Sequence, residues 1–271
     1  MLAYWTHNLD PFVIKLPPHW PIPGIRWYGV AYLLGFLSAY FWLQQGYAHG
    51  KIKLSPSQQQ GFLFACFCGI LIGGRLGYVL FYQWEYYRLH PLEIFSIWEG
   101  GMSAHGGFLG IFFSLFLWGH RHHFSVFSLT DLTIPCGTLG IFFGRCANFI
   151  NGELYGTCSQ LPWAVIFPPD AIPRHPSQIY EALGEGLLLF LWSCQTIRKK
   201  SFIRTHPGVF SGCFLIYYGI IRYVMEYFRE PDAPFIAIFS RGQFYSIGMI
   251  AIGVLFTYLL QKYPPKGCVF L

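Results

Sequence analysis

Seven stretches of apolar residues, separated by short polar or proline-rich connections, run along this chain of 271 residues. Each stretch is close to the roughly 20 residues that an α-helix needs to cross a bilayer. The pattern predicts an all-α polytopic membrane protein with seven transmembrane helices. The seven stretches are Trp27–Gln44, Gly61–Tyr82, Met102–Gly119, Leu129–Asn151, Ile179–Thr196, Gly208–Phe228 and Gln243–Leu260.

The connections predict three divisions of the chain. Prolines are frequent between Pro17 and Pro23 and again after Gly152, so neither segment is expected to be helical. The second segment is predicted to form a small irregular periplasmic cap, with room for a short hairpin within Thr157–Phe167. The divisions are an N-terminal interfacial arm at 1–26, a seven-helix domain at 27–260 with its cap at 152–178, and a cytoplasmic tail at 261–271.

The composition agrees with a membrane protein. Charged residues make up 11% of the chain and mean hydropathy is +0.41, whereas an ordinary soluble domain carries about 25% charged residues. This excludes a typical soluble enzyme, a disordered chain and a nucleic-acid binder. The start of the chain lacks the basic region of a cleavable signal peptide, so the first apolar stretch is expected to remain as an anchor. The eight cysteines have no CxxC pair and no zinc-like spacing.

The distribution of loop charges predicts the orientation. Nine Lys and Arg residues lie on the side that holds the loops 45–60, 120–128 and 197–207 and the tail. The opposite side holds six basic and eight acidic residues. Positively charged loops stay in the cytoplasm. We therefore expect a periplasmic N-terminus and a cytoplasmic C-terminus.

Ionisable residues within the apolar stretches indicate a functional site, because such groups cost several kcal/mol at membrane depth unless they are paired or hydrated. Arg222 follows the cytoplasmic start of its stretch by 14 residues, which corresponds to a rise of roughly 21 Å. The same arithmetic applies to Arg75. Polar residues of six stretches are thus expected at one depth in the outer leaflet. They are Tyr28, Arg75, His105, Arg145, Glu181 and Arg222.

Local spacing supports shared helix faces. Tyr218, Arg222 and Glu226 are four residues apart. Arg145 and Asn148 are three apart, and Asn151 continues that row. A purely structural explanation remains open: Arg222 would pair with Glu226 within its helix, and Arg145 would snorkel to the surface.

Three further groups of residues also have structural explanations. Glu181 and Glu185 are expected to be partners of one of the arginines. For Arg75, a structural role and a functional role are equally supported. Glycines spaced by four predict close helix packing. These glycines are Gly69, Gly73 and Gly77, Gly106 and Gly110, and Gly140 and Gly144.

His105 lies between glycine pairs, at the expected depth of the arginines. It is either a hydrogen-bonded structural residue or a general base that takes a proton from a substrate group such as a thiol. With two or three guanidinium groups nearby, the predicted ligand is an anionic lipid headgroup or an anionic solute. An enzyme and a transporter or channel for an anionic solute both fit these residues. Almost purely apolar inner halves of the stretches favour the enzyme, because a transporter needs a polar path through both leaflets.

The stretch Gly144–Gly156, GRCANFINGELYG, resembles the signature of the bacterial prolipoprotein diacylglyceryl transferases. Further matching stretches span residues 26 to 232 in the expected order. They are Arg26–Gly29, Gly73–Tyr78, Gly100–Gly107, Arg174–Gln178 with Tyr180 and Glu181, and Tyr218–Asp232. One departure is that the segment from Glu153 to Arg174 is shorter than in many members, which affects the shape of the cap and its contacts with the signal peptide.

The resemblance implies a seven-helix enzyme of the bacterial inner membrane whose site faces the periplasm. Such enzymes move the diacylglyceryl group of phosphatidylglycerol onto the lipobox cysteine thiol of a prolipoprotein and release glycerol phosphate, the first step of lipoprotein maturation. The implied partners are phosphatidylglycerol, prolipoprotein signal peptides and the bilayer, with no nucleic acid, metal or cofactor.

The resemblance also implies roles for individual residues. Arg145 and Arg222 would hold the phosphate, His105 resembles the proposed base, and Glu153 is implied as a further catalytic residue. Other residues expected to bind phosphatidylglycerol are Tyr28, Asn148, Asn151, Tyr218 and Glu226.

Overall fold

The computed structural model describes residues 4–17, 19–20, 23–97, 100–199, 202–231 and 238–271. Lys200 and Asp232, which entered the orientation and the resemblance, lie outside these ranges, as do Pro18 and Pro21 of the N-terminal arm. All seven predicted stretches are helical. The helices are α1 (Trp27–Ala48), α2 (Pro56–Tyr82), α3 (Trp84–Tyr87), a 3-10 helix (Pro91–Phe95), α4 (Ala104–His122), α5 (Val126–Asn151), α6 (Ser177–Glu181), a π-helix (Ala182–Leu188), α7 (Leu189–Lys199), α8 (Phe202–Thr205), α9 (Val209–Met225) and α10 (Arg241–Lys262).

Several helix starts follow from local side-chain chemistry. Ser55 precedes α2 and accepts a hydrogen bond from the backbone N–H of Gln58, whose side chain accepts one from the Ser55 N–H in return. Ser240 and Gln243 form the same reciprocal pair at the start of α10. Such pairs satisfy backbone donors that the first helical turn leaves free.

Three helices in the described part of the chain are long and apolar enough to cross a membrane: α2, α5 and α10. The apolar helix α9 is shorter. Large apolar side chains such as Phe64, Ile72 and Phe113 are exposed along these and neighbouring helices. In a chain this poor in charge, such surfaces fit contact with lipid. The protein is therefore a helical membrane protein.

The chain divides into two compact units, one formed by Met1–Ala39, Thr133–Ile203 and Gly208–Tyr263, and the other by Tyr40–Leu132, Arg204–Pro207 and Pro264–Leu271.

Glycines bring α2 and α4 into backbone contact in the second unit. A Cβ on Gly73 would lie 2.3 Å from the carbonyl oxygen of Gly106, and one on Gly110 would lie 2.1 Å from the carbonyl oxygen of Gly69. Side chains at these positions would push the helices apart, which confirms the predicted role of these glycines.

The third glycine pair behaves differently. Among the residues that the structure describes, no atom of another element lies within 4 Å of a Cβ built on Gly140 or Gly144. A Cβ on Gly35 of α1 would meet the Cα of Gly140 at 3.2 Å, so Gly140 provides space for α1. The packing role of Gly144 stays a prediction, because the space around its Cβ position does not show which atoms approach its backbone.

The predicted cap and the N-terminal arm share a small sheet in the first unit. Strand β4 (Val165–Ile166) pairs in parallel with β1 (Trp5–Thr6) and antiparallel with β5 (Pro173–Arg174). The arm also forms a hairpin of β2 (Phe12–Lys15) and β3 (Gly24–Arg26). The short hairpin placed within Thr157–Phe167 is thus wrong in its bounds, because the partner of β4 lies beyond Pro169.

The C-terminal segment packs within the second unit. The N–H of Val269 donates to Ser128 Oγ, and its carbonyl oxygen accepts from the N–H of Lys53. Phe270 forms an antiparallel bridge with Ile52, and both side chains are buried. The predicted tail is therefore anchored to the loop between α1 and α2.

Candidate active site

Three arginines and three glutamates form one connected cluster in the first unit. Arg145 comes from α5, and Glu181 and Glu185 come from α6 and the π-helix that continues it. Arg222 lies in the last turn of α9. The remaining members follow on the chain after Met225. The arginine–glutamate cluster consists of Arg145, Glu181, Glu185, Arg222, Glu226 and Arg229.

Glu181 is the centre of the cluster, because its carboxylate contacts three guanidinium groups. Its Oε2 lies 2.9 Å from Nε of Arg145. Its Oε1 lies 2.9 Å from Nη1 of Arg222 and 3.2 Å from Nη1 of Arg229. Multiple charge-assisted contacts offset the cost of burying this carboxylate.

Glu185 lies one turn further along and joins the two arginines that were predicted to bind substrate. Its Oε1 accepts a hydrogen bond from Nη1 of Arg222 at 3.2 Å, and its Oε2 lies 3.7 Å from Nη2 of Arg145. The hydroxyl of Tyr218 donates to the same Oε2 at 3.3 Å. The expectation that Glu181 and Glu185 pair with an arginine is thus confirmed, and each contacts both Arg145 and Arg222 rather than one of them.

Glu226 completes the cluster on the side of α10. Its Oε1 pairs with Nη2 of Arg222, and its Oε2 accepts from Ser240 Oγ at 2.7 Å. A Cβ on Gly242 would lie 2.1 Å from Cδ of Glu226, so only glycine leaves room for this carboxylate. The intrahelical pair of Arg222 and Glu226 therefore exists, but as one contact within a larger network.

The predicted asparagine row continues the network from Arg145. Nη1 of Arg145 lies 3.5 Å from Oδ1 of Asn148, at the limit of a hydrogen bond. Nδ2 of Asn148 is 2.9 Å from the Tyr28 hydroxyl and 2.8 Å from Oε1 of Glu153. Nδ2 of Asn151 donates to the same Glu153 oxygen at 3.2 Å. Four residues of the predicted site are thereby tied to Arg145.

One buried acceptor in this row has no hydrogen bond from any residue that the structure describes. It is Oδ1 of Asn151. An unsatisfied buried oxygen is costly unless a partner supplies a donor. Asn151 is therefore suited to accept a hydrogen bond from a ligand hydroxyl.

Accessibility differs between the cations and the carboxylates of the cluster. The side chains of Glu181 and Glu185 are fully buried, whereas Arg145 is 20% exposed and Arg222 is 14% exposed. Each guanidinium carries five N–H groups, so donors remain beyond those that the carboxylates use. Part of each arginine side chain therefore remains accessible outside the buried carboxylates, as binding of an anion requires.

Arg229 is a member of the cluster that sequence reasoning missed, because it was counted with the loop cations. It follows Glu226 by three residues, which continues the face of Tyr218, Arg222 and Glu226, and that spacing was the available signal. Its side chain is 8% exposed. Arg145 is also paired rather than snorkelling.

Arg75 has a structural role in the second unit. It is buried and donates to the carbonyl oxygens of Glu93, Ile94 and Gly100 at 2.6 to 2.8 Å. Its guanidinium lies over the ring of Tyr87 at 5.1 Å. These contacts order the connection that leads to α4. Of the two roles left open for Arg75, they favour the structural one.

His105 is exposed and is the second residue of α4, in the second unit. Ser103 precedes the helix and accepts from the N–H of Gly106, which fixes the backbone on either side of the histidine. The structure therefore defines the local conformation of His105, and its predicted role as a base stays a prediction.

The cap is held together beside the network by Arg174. Its guanidinium pairs with Asp170 and Glu230 and lies 4.9 Å from the ring centre of Tyr155. The backbone of the neighbouring His175 accepts a hydrogen bond from the N–H of Gly156 and donates one to the carbonyl oxygen of Thr157. Partial burial lowers the pKa of the His175 imidazole, which favours its neutral form. His175 therefore acts as a packing residue of the cap.

The model of the family described as prolipoprotein diacylglyceryl transferase matches residues 14–259. The chain belongs to this family. The match begins in β2 and ends in α10, so it includes every member of the arginine–glutamate cluster and the asparagine row.

Three proteins named phosphatidylglycerol–prolipoprotein diacylglyceryl transferase illustrate the similarity. The one from Idiomarina loihiensis is 41% identical over 97% of this chain and 98% of its own length. The one from Rhodospirillum centenum is 45% identical over 91% and 90%, respectively. The one from Photobacterium profundum is 42% identical over 96% of both chains. The prolipoprotein diacylglyceryl transferase family is thus matched over nearly the whole chain, and the resemblance seen in the sequence is confirmed.

Proposed function

We propose that the protein transfers the diacylglyceryl group of phosphatidylglycerol to the lipobox cysteine thiol of prolipoproteins, with Arg145 and Arg222 as its phosphate-binding residues. The observation that carries this assignment is that the two guanidinium groups share buried carboxylates while remaining partly exposed. A planar guanidinium offers paired donors that match a phosphate. The relatives named above are transferases, which favours this function over transport of an anionic solute.

The arginines assist the departure of the phosphate. The cysteine sulfur forms a bond to the carbon of the diacylglyceryl unit that carries the phosphate, and the bond from that carbon to the phosphate oxygen breaks. Glycerol phosphate leaves with an additional negative charge on its phosphate. Fixed guanidinium groups in a site with little water stabilise this charge in the transition state, because they need no reorganisation when it develops.

The asparagine row orients the lipid headgroup. Nδ2 of Asn148 contacts the Tyr28 hydroxyl and the Glu153 carboxylate. Oδ1 of Asn151, which accepts no hydrogen bond from any described residue, accepts one from a hydroxyl of the glycerol headgroup. Asn148 connects the row to Arg145, and this connection sets the position of the glycerol relative to the phosphate. Glu226 keeps the guanidinium of Arg222 in place.

His105 is the base that takes the proton of the cysteine thiol. An imidazole is the most frequent general base in enzymes, and a neutral thiol is a poor nucleophile until it loses its proton. The space at Gly106 is filled by α2, whereas a Cβ on Gly107 would find its nearest neighbour at 3.9 Å, so Gly107 leaves space for the peptide that carries the thiol.

The membrane arrangement completes the proposal. Seven helices cross the bacterial inner membrane, with the N-terminus and the cap in the periplasm and the C-terminus in the cytoplasm. The substrates are membrane-bound on the same side, since both phosphatidylglycerol and a signal peptide present their reacting groups near the outer interface.

The direct test is transfer by purified protein. The protein in detergent is incubated with phosphatidylglycerol and a lipobox peptide, and mass spectrometry measures the peptide. We expect a mass increase by one diacylglyceryl group, release of glycerol phosphate, and no product from a peptide with serine in place of cysteine. Transfer that is unchanged in Arg145→Lys and Arg222→Lys would contradict the assignment of the phosphate site. The surface variant Arg88→Ala, which removes only a pair with Glu85, serves as the control.

A further inference from the structure

Glu185 lies in a segment whose backbone packs closely against both helices that carry the phosphate-binding arginines. A Cβ on Gly186 would lie 2.7 Å from Cα of Phe142, three residues before Arg145 on α5. A Cβ on Gly184 would lie 2.8 Å from Cε of Met225, three residues after Arg222 on α9. The two glycines therefore allow the π-helix to pack closely against both α5 and α9.

The carboxylate of Glu185 divides its two oxygens between the two arginines. Oε1 faces Arg222 at 3.2 Å and Oε2 faces Arg145 at 3.7 Å, and the Tyr218 hydroxyl fixes the orientation of Oε2. Because the side chain is fully buried, it cannot itself contact a substrate at the surface of the site. Short π-helical turns are frequently found at functional sites, where they place side chains that an α-helix would not.

We propose that Glu185, held between Gly184 and Gly186, is a positioning residue that sets the separation of the Arg145 and Arg222 guanidinium groups. This inference rests on the proposed role of the two arginines in binding phosphate. Two guanidinium groups bind one phosphate only when both can donate to it at the same time. An error of about 1 Å in such an arrangement can cost roughly a hundredfold in rate.

The competing explanation is that Glu185 only neutralises the charge of the arginines. It predicts the opposite effect of Glu185→Gln on phosphate binding. The cluster contains three arginines and three glutamates, and its formal charge is zero when all are ionised. Glu185→Gln would add one net positive charge and, by Coulomb attraction alone, strengthen binding of the phosphate. If charge alone mattered, Glu185→Asp would keep the charge and behave like wild type. The positioning role predicts that both variants lose function.

The experiment measures kcat and KM for phosphatidylglycerol in Glu185→Gln and Glu185→Asp. We expect kcat/KM to fall at least about tenfold in both, with KM raised. A folding defect alone would lower the active fraction and kcat but leave KM unchanged. The matched control is Glu230→Gln, which removes an exposed carboxylate that pairs with Arg174 of the cap and should stay within about twofold of wild type. A lower KM in Glu185→Gln together with wild-type kinetics in Glu185→Asp would overturn the proposal.

The flanking glycines give a second test if the Glu185 variants fold poorly. Gly186→Ala would meet the backbone of α5, whereas Gly184→Ala would meet the mobile end of the Met225 side chain. We expect a raised KM in Gly186→Ala and a much smaller change in Gly184→Ala. Equal kinetics in wild type and Gly186→Ala would contradict the proposal.

Binding of phosphatidylglycerol separates this inference from the proposed function. The rise in unfolding temperature on adding the lipid reports binding without turnover. We expect a smaller rise in Glu185→Gln and Glu185→Asp than in wild type. If wild type binds the lipid but transfers nothing, the proposed reaction fails while the effect of Glu185 is still measured. Equal rises in all three proteins would overturn the positioning role.

Discussion

Arg145 is bound to two buried carboxylates and is also placed to bind phosphate, so its substitution affects both stability and catalysis. Removing one partner of a buried ion pair typically costs about 3–5 kcal/mol, because an unpaired charge remains. A variant that keeps the charge is therefore more informative than one that removes it. Arg145→Lys preserves the attraction to Glu181 and loses only the planar fork.

We expect Arg145→Ala to lose more than about a hundredfold in transfer rate, since a charge-assisted phosphate contact in a dry site is worth a few kcal/mol. Arg145→Lys should recover only a small part of this loss. The measurement is the initial rate of peptide modification at equal amounts of monodisperse protein. Wild-type turnover by either variant would contradict the role in phosphate binding.

His105 is tested by the dependence of the rate on thiol ionisation. We expect His105→Gln to slow transfer, and the loss to shrink at higher pH or with a peptide whose thiol is more acidic, because a preformed thiolate needs no base. The measurement is the ratio of wild-type to variant rate across pH. A ratio that is constant at every pH would indicate that His105 orients a group instead.

At the scale of elements, glycines determine how closely helices approach. In α4, Gly110 packs against the backbone of α2, whereas a Cβ on Gly107 would find its nearest neighbour at 3.9 Å. These two glycines on one helix are therefore a matched pair for testing the contact.

We expect Gly110→Ala to destabilise the protein by about 1–3 kcal/mol, the usual cost of overpacking a tight contact. Gly107→Ala should be neutral or slightly stabilising, because alanine has the higher helix propensity. Thermal unfolding of the two variants in detergent is the measurement. Equal unfolding temperatures would show that α2 and α4 tolerate a wider separation.

At the scale of the whole molecule, the proposed topology makes the arginine–glutamate cluster a periplasmic-side feature. Reporter fusions after Lys53, Arg121 and Lys200 should therefore read cytoplasmic, because positive loops are retained inside. The matching set on the other side is Arg88, Asp170 and Asp232, where fusions should read periplasmic. Accessibility of single engineered cysteines in intact cells provides an independent measurement. A reversed result at any one position would break the assignment of the site to the outer leaflet.

The sequence alone determined the apolar helices, the helix faces that carry most of the arginine–glutamate cluster, and the family. Apolar stretches of membrane length can form little else in lipid, because every backbone polar group must be satisfied internally. Spacings of three and four residues placed Tyr218, Arg222 and Glu226 on one face, and the Arg145 row on another. These features are local, so they can be predicted without knowing which helices are neighbours.

Tertiary structure alone decided which charges meet. Glu181 and Arg145 are 36 residues apart, and their pairing depends on how α5 packs against the π-helix. The same is true of Glu185, which joins two helices, and of β4, whose partners come from both sides of it in the chain. Ion pairs and strand partners between distant segments are chosen by the packing of backbones, and a spacing rule within one helix carries no information about that choice.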